Sequence, residues 1–306
     1  MKQKFFGCTS LLLCTMIWGS SFVAQSVGMD HLSPFTFQAI RCLLAIVFLF
    51  FCATCLELKN TGLFGSLAKW KDPLLMKNGL ICGGVLFIAT SLQQIGLVYA
   101  DAGKAGFLTS IYIILVPLIG LFIGKRATAA ALVSVVPAVM GLVLLSGIGF
   151  SRVNIGDLFL MGGAMGFAVH ILLIDHTANT VDSLRLNCIQ CLVIAVLSFP
   201  FLLTEPLSFQ DIWDCRFPLI FSGVFSMGLA YSLQVVGQKY VEPTAASLLL
   251  SLESVFAALS GWLILHETMN GRELIGCSLM FFAVIFSQLP LRCPRLSPAE
   301  DADISE

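Results

Sequence analysis

Ser91-Leu92-Gln93-Gln94-Ile95-Gly96 and Ser232-Leu233-Gln234-Val235-Val236-Gly237 are two versions of one segment, 141 residues apart. At the same spacing, with no gap, Tyr99 meets Tyr240, Ala105 meets Ala246, Ser110 meets Ser251, Gly120 meets Gly261, Ile123 meets Ile264 and Ser146 meets Ser287. Earlier in the chain, Ile40-Arg41-Cys42-Leu43 resembles Ile189-Gln190-Cys191-Leu192 at a spacing of 149, so a few residues are inserted between the blocks. The chain is an internal duplication, and its fold is decided by what one copy forms.

Composition names the solvent. Of 306 residues, 58% are hydrophobic and only 11% charged, where a soluble domain carries about 25% charged residues. So few charges cannot coat a globule of this size, and disordered chains are polar and charge-rich. With 25 Phe against 4 Trp and 4 Tyr, the surface suits lipid. A net charge of −1 offers no basic patch for nucleic acid. The eleven cysteines cannot all pair, and most lie in apolar runs, where a free thiol behaves as a small hydrophobe. The spacings Cys52–Cys55 and Cys188–Cys191 have no neighbouring His or second pair, so they read as packing and no metal site is expected.

A membrane-spanning helix needs about 20 mostly apolar residues. At that length the chain divides into ten segments, near 5–25, 34–55, 75–98, 104–123, 128–147, 156–174, 186–203, 217–237, 244–265 and 272–290. Runs such as Leu43 to Phe51 do not alternate apolar and polar residues, which excludes the strands of a barrel. The expected fold class is an all-α membrane protein of ten transmembrane helices. The first segment exceeds a signal-peptide core and lacks a small-x-small cleavage site, so it reads as a span. The acidic stretch 297–306 reads as a disordered cytoplasmic tail. Lys2, Lys4, Lys59, Lys69, Lys71, Lys77, Lys125 and Arg126 gather on one side of the first half. By the positive-inside rule, that side and both termini face the cytoplasm.

Five spans per copy is an odd number, so the second copy (156–290) enters the membrane inverted relative to the first (1–147). Inverted repeats are a recurring plan of secondary transporters, with the substrate site near the midplane between the halves.

Particular residues carry a family resemblance. Trp18-Gly19-Ser20-Ser21-Phe22 in span one, Arg41 in span two, and Leu115-Val116-Pro117-Leu118 in span four match its pattern. So does the stretch from Leu252-Glu253-Ser254-Val255-Phe256 through Gly261-Trp262 to His266-Glu267. From end to end the chain resembles an EamA-type member of the drug/metabolite transporter superfamily. That resemblance implies two EamA domains forming a ten-helix carrier, usually in a bacterial inner membrane, that moves small metabolites. Family members often have Pro where this chain has Ser254, and an acidic residue near Lys125-Arg126.

Polar residues inside the spans mark where a passenger would go, because ionisable groups in lipid usually face a cavity or a partner. Arg41 sits about 10 Å into span two at 1.5 Å per residue, with Gln38 on the same face. Its planar fork suits a carboxylate or phosphate, and its structural alternative is snorkelling to the interface or capping a neighbouring helix. Glu253, near the midplane, fits a gating or proton-coupling carboxylate, and equally a structural hydrogen bond. His170 is read the same way. The HxxxxD spacing of His170 and Asp175 puts the two about 140° apart on a helix, too far to cooperate. Trp18, Ser21 and Gln25 share a face of span one. Gln93 and Gln94 are mirrored by Gln234, Gln190 lies on span seven, and Tyr112 and Tyr231 offer hydroxyls on apolar rings. A pocket walled by Trp and Tyr with amide donors suits an amphipathic metabolite such as an amino acid. The structural alternative is interhelical bonding.

The expected function is thus a secondary transporter, an exporter of a small metabolite across the cell (inner) membrane by alternating access. It acts as a monomer or a homodimer, with proton coupling as one option and no cofactor. The rival is a polytopic membrane enzyme acting on lipids, but no HExxH, P-loop or GxSxG is present, and no enzymatic activity is expected.

Overall fold

The computed structural model describes residues 2–125, 127–145, 154–264 and 268–289. The expected tail 297–306, with His266-Glu267 and Arg126, lies outside the described residues. Long helices follow one another: α1 (Lys2–Met29), α2 (Pro34–Ala68), α3 (Pro73–Gly96), α4 (Ala102–Phe122), α5 (Ala129–Leu145), α6 (Ile155–Thr177), α7 (Ser183–Leu202), α8 (Arg216–Gln238), α9 (Pro243–Ile264) and α10 (Gly271–Ser287). Among the described residues, eight are long and apolar enough to cross a membrane: α1, the Pro34–Leu58 part of α2, α3, α4 and α6 to α9. The expectation of ten spans is met by eight. Helices α5 and α10 have 17 residues each, or about 25 Å at 1.5 Å per residue, short of a hydrocarbon core of about 30 Å.

The helices start where the sequence supplies an acceptor or a proline. Asp72 accepts from the Leu74 amide (2.9 Å) with Pro73 in the first turn. Asn154 and Asp157 form a capping box at α6, as do Asn270 and Glu273 at α10, and Asp182 accepts from the Arg185 amide. These side chains satisfy amides that have no partner within the helix. The stretch between the expected spans 34–55 and 75–98 is mostly helical: α2 runs to Ala68, interrupted at Gly62, and a 3-10 turn (Lys69–Lys71) follows. Gly62 has φ 66°, a backbone conformation that glycine adopts without steric cost. Beyond Phe122, Gly124 ends α4. Gly124 has φ 74° and the Lys125 amide bonds back to the Gly120 carbonyl (2.8 Å), a left-handed helix stop.

The duplication governs the packing. Matching the two copies pairs α1 with α6, α2 with α7, α3 with α8, α4 with α9 and α5 with α10. The main contacts between halves obey that exchange. Helix α2 packs on α7, α4 on α9 and α5 on α10, each on its own counterpart, while the α1–α8 contact is mirrored by α6–α3 and α1–α9 by α6–α4. The correspondence reaches single residues. Gly7 of α1 meets the Gly237 carbonyl and Tyr240 Cβ, and Gly156 of α6 meets the Gly96 carbonyl and Tyr99 Cβ. These are the same crossing at spacings of 149 and 141. A Cβ on Gly7 would stand 2.9 Å from both neighbours, and one on Gly156 would stand 2.5 Å from Tyr99 Cβ. Small residues are what allow helix backbones in lipid to come this close.

Candidate functional site

Two helix breaks, one in each half, meet in the middle of the bundle. In α4, regular helix stops at Thr109 and resumes at Tyr112; in α9 it stops at Leu250 and resumes at Glu253. Each boundary is displaced by 141 residues from its counterpart, so Tyr112 and Glu253 are equivalent positions. At both breaks the ladder tightens to i→i+3 bonds: Ile113 to Ser110 (3.0 Å) and Ser254 to Ser251 (3.2 Å). Such turns inside a helix often mark functional positions. The equivalent residues bond to each other, the Tyr112 hydroxyl donating to Glu253 Oε1 at 3.0 Å. Ser110 Oγ lies 3.5 Å from the same oxygen and 2.5 Å from Ser254 Oγ, and Ser254 in turn donates to the Gly106 carbonyl (3.0 Å). Ser254 therefore ties α9 to α4.

Arg41 on α2 is 2% exposed and held by neutral groups. Its guanidinium donates to Gln25 Oε1 (2.5 Å) and Gln38 Oε1 (3.5 Å). Gln38 is fixed by Ser91 and Ser198, and Gln25 donates to the Ser21 carbonyl and hydroxyl. Among the described residues, neither Arg41 nor Glu253 has an oppositely charged partner within 4 Å. Two carboxamides orient the fork without cancelling its charge, which is how a site for an anionic group is built.

Both side chains line one small cavity between the halves. Its walls include Trp18, Phe22, Gln25, Gln93, Thr109, Phe167, Ile171 and Gln234, with Ser226, Met227 and Tyr231 from α8. The lining pairs by the duplication: Trp18 with Phe167, Phe22 with Ile171, Gln93 with Gln234, and Tyr112 with Glu253. The cavity straddles the pseudo-twofold axis. Its shape is nearly symmetric and its charge is not, because the counterpart of Arg41 is the neutral Gln190, and that of Glu253 is a phenol. Trp18 Nε1, Arg41 Nε and Gln234 Oε1 are buried here without a partner in the protein. Unsatisfied buried polar atoms are rare and require explanation. Two donors and an acceptor around one cavity are a ready set for a polar ligand.

The π-helical stretch Phe221–Ala230 of α8 completes the wall. It frees carbonyls from the α-helical pattern, and Asn187 Nδ2 takes up those of Met227 (2.8 Å) and Gly228 (2.9 Å). Tyr231, at its end, tilts against Trp18 with ring centroids 4.7 Å apart.

Of the residues singled out from sequence, Trp18, Gln25, Arg41, Gln93, Tyr112, Tyr231, Gln234 and Glu253 line the cavity. Ser21 and Gln38 stand behind it as supports. Gln94 is turned toward the Met29 sulfur (3.1 Å). Gln190 bonds the His170 ring nitrogen at 2.7 Å, and His170 meets the Tyr231 ring edge-on at 6.0 Å. Asp175 is paired with Lys125 at 2.6 Å, well apart in function from His170, as the helical angle requires. Sequence reasoning missed Phe22, Thr109, Ser226 and Met227 as lining residues, and also Phe167 and Ile171. The duplication carries the signal for the last two, since each lies 149 residues from an aromatic of the first copy. Among the described residues no group of three or more His, Cys, Asp or Glu could hold a metal.

Comparison with known proteins agrees with this architecture. The EamA-like transporter family matches twice, over residues 5–147 and 154–289. An uncharacterized transporter of Archaeoglobus fulgidus is 30% identical over 94% of this chain and 87% of its own length. The uncharacterized transporter YoaV of Bacillus subtilis is 24% identical over 91% of this chain and 97% of its own. A solved crystal structure superposes with a TM-score of 0.74 at 18% identity, covering 92% of this chain and 96% of the other, a likeness of fold. A duplicated bundle of apolar helices, matched by that family in each half, is a multi-pass membrane protein, and the chain belongs to the EamA-like transporter family.

Proposed function

We propose that this protein is a secondary transporter that exports a small zwitterionic metabolite, such as an amino acid or a related amphipathic compound, across the cytoplasmic membrane. The single observation behind this reading is the central cavity with Arg41 on one half and Glu253 on the other, neither neutralised by an opposite charge. A carboxylate would sit on the Arg41 fork and an amine toward Glu253. Trp18, Tyr231 and Phe167 would cover the apolar part, and Gln93 and Gln234 would contact polar atoms between. Leaving the Arg41 guanidinium unpaired in a bilayer is costly, and a ligand carboxylate offsets that cost where a neutral molecule does not.

In this proposal all ten helices cross the membrane, α5 and α10 as short spans, so the five-helix halves are inverted and both termini are cytoplasmic. The exchange of contacts between halves supports the inversion, and the lysines and arginines of the first half support the orientation. Alternating access then consists of the halves trading conformations about the cavity. Glu253, at the break of α9, has the gating or coupling role, with His170 supporting it from behind Tyr231. Relatives carry transporter names, which does not favour the rival reading of a lipid-modifying enzyme.

The test is a comparison of metabolites released by cells overexpressing the wild type, Arg41→Ala or Glu253→Gln. The expected result is one or a few zwitterions accumulating outside wild-type cells only. Equal release by all three strains would contradict the site.

A further inference from the structure

Helix α6 lies against α3 and α4, and α1 lies against α8 and α9, so the central cavity sits between two groups of three helices. The Tyr112–Glu253 bond ties the groups in the middle. Towards the end where α1 finishes, α3 is tied to α1, with Gln94 Nε2 donating to Met29 Sδ at 3.1 Å. Towards the other end, α8 is tied to α6, with Gln238 Nε2 donating to the Ile171 carbonyl at 2.9 Å. Both glutamines are buried, and among the described residues the carboxamide oxygen of each has no partner. Each is held by its nitrogen alone. Beyond the first tie lies a vestibule lined by Ser26, Met29, Leu97, Asp101, Lys104 and Asn154. Along α1 it begins one residue past Gln25, and along α3 one turn past Gln93, both of which line the cavity. At 1.5 Å per residue that turn is about 6 Å. Phe22, which lines the cavity, and Leu97, which lines the vestibule, belong to one buried apolar cluster, the partition between the two spaces.

The duplication relates the two ends without making them equal. Phe22 corresponds to Ile171 at a spacing of 149, and Leu97 to Gln238 at 141. The same two positions therefore meet at both ends, as an apolar contact at one and as an amide–carbonyl bond at the other. Gln94 corresponds to Val235 and Met29 to Ala178, so the tie at the vestibule end has no copy opposite. A thioether is a weak acceptor, and a backbone carbonyl is a strong one. We propose that Gln94 with Met29, and Gln238 with the Ile171 carbonyl, are the two gates of the central cavity, and that the vestibule gate is the weaker and opens first. The proposal rests on the transporter reading, in which the two ends open in turn. Opening either gate breaks one bond between the groups. Within one group α4 stays fixed to α6 at both ends, by the ion pairs Lys104–Asp157 and Lys125–Asp175 at 2.6 Å each.

The experiment uses the full-length protein carrying Ser226→Cys, which puts a thiol on the cavity wall. A membrane-impermeant methanethiosulfonate cation is applied to intact cells or to inside-out vesicles, and labelling of residue 226 is followed by mass spectrometry of the purified protein. Labelling is expected to be faster from the vestibule side, which is outside in the proposed orientation. Gln94→Val and Met29→Leu should each raise it about two- to tenfold from that side only, the worth of one hydrogen bond. Gln238→Leu should raise it from the opposite side only. Leu97→Gln gives the vestibule end the amide of the other end and should slow labelling there, an effect that misfolding does not produce. Every variant must elute as wild type on size exclusion. Labelling unmoved by these variants, or raised from both sides by a variant of one gate, would overturn the gates. Equal labelling from both sides with the gates intact would overturn the order of opening. The two sides exchanged throughout would uphold the gates and reverse the proposed orientation. No substrate is added, so the outcome is independent of whether the cavity carries a zwitterion.

Discussion

At the scale of single residues, the site rests on two ionisable side chains, Arg41 and Glu253, held by neutral groups. Arg41→Ala is expected to reduce transport about tenfold or more, since a hydrogen bond to a charged group is worth about 1.5–3 kcal/mol. Arg41→Lys should recover only part of the loss, because an ammonium keeps the charge but not the fork. Flux of labelled substrate through each variant checks both expectations. Tyr112→Phe removes the hydroxyl that donates to Glu253 at 3.0 Å and leaves the ring in place. It should alter the pH dependence of transport, while overall expression stays near wild type; an unchanged pH profile would mean that Glu253 does not depend on this bond. These residues were legible in the sequence because a polar side chain in an apolar span stands out. What they bond to was not. Gln38 and Ser21 look like pocket residues on a helical wheel, yet they support Arg41 and Gln25, and only the placement of α2 against α3 and α7 decides that. Phe167 is the reverse case, an unremarkable apolar residue in a chain with 25 Phe that becomes a cavity wall through its equivalence to Trp18.

At the scale of elements, the helices and their order follow from apolar runs separated by Pro, Asp and Asn caps, and boundaries other than the end of α2 fall within a few residues of expectation. Three features did not show. The π-helical stretch of α8 depends on Asn187 reaching across from α7, a tertiary cause invisible in local sequence. The continuation of α2 past Glu57 depends on Arg185 and Lys69 neutralising that carboxylate, which allows a charged residue to end a span. The matched breaks in α4 and α9 contain serine where a kink signal would usually be sought in proline. Close approach of helices gives a further expectation. Gly156→Val should disrupt the α3–α6 crossing, where even a Cβ would stand 2.5 Å from Tyr99 Cβ. Gly237→Val should disrupt the mirrored α1–α8 crossing, where a Cβ would stand 2.6 Å from Leu11 Cγ. Both variants should lower the melting temperature in detergent by similar amounts, and Gly103→Val, at a position open on every side, should leave it unchanged.

At the scale of the whole molecule, duplication is the fact from which most else descends. It was legible from Ser91-Leu92-Gln93 and its copy, and the contact pattern follows it: equivalent helices pack on one another, and every other major contact between halves has its partner. A cavity on a pseudo-twofold axis can face either side of a membrane with the same walls, which is the property alternating access needs. The sequence gives no hint of which charge breaks the symmetry until the copies are superposed, because Arg41 and Gln190, or Tyr112 and Glu253, lie far apart in the chain.

The central claim is that this cavity carries a zwitterion across the membrane. Counterflow of labelled amino acids into proteoliposomes tests it most directly, comparing wild type with Arg41→Ala and Glu253→Gln. At least one zwitterionic substrate is expected to exchange through wild type, its uncharged amide or ester analogue is expected not to compete, and both variants are expected to lose the exchange. Wild-type exchange that survives in both variants, or no exchange across a broad amino-acid panel by a folded protein, would contradict it.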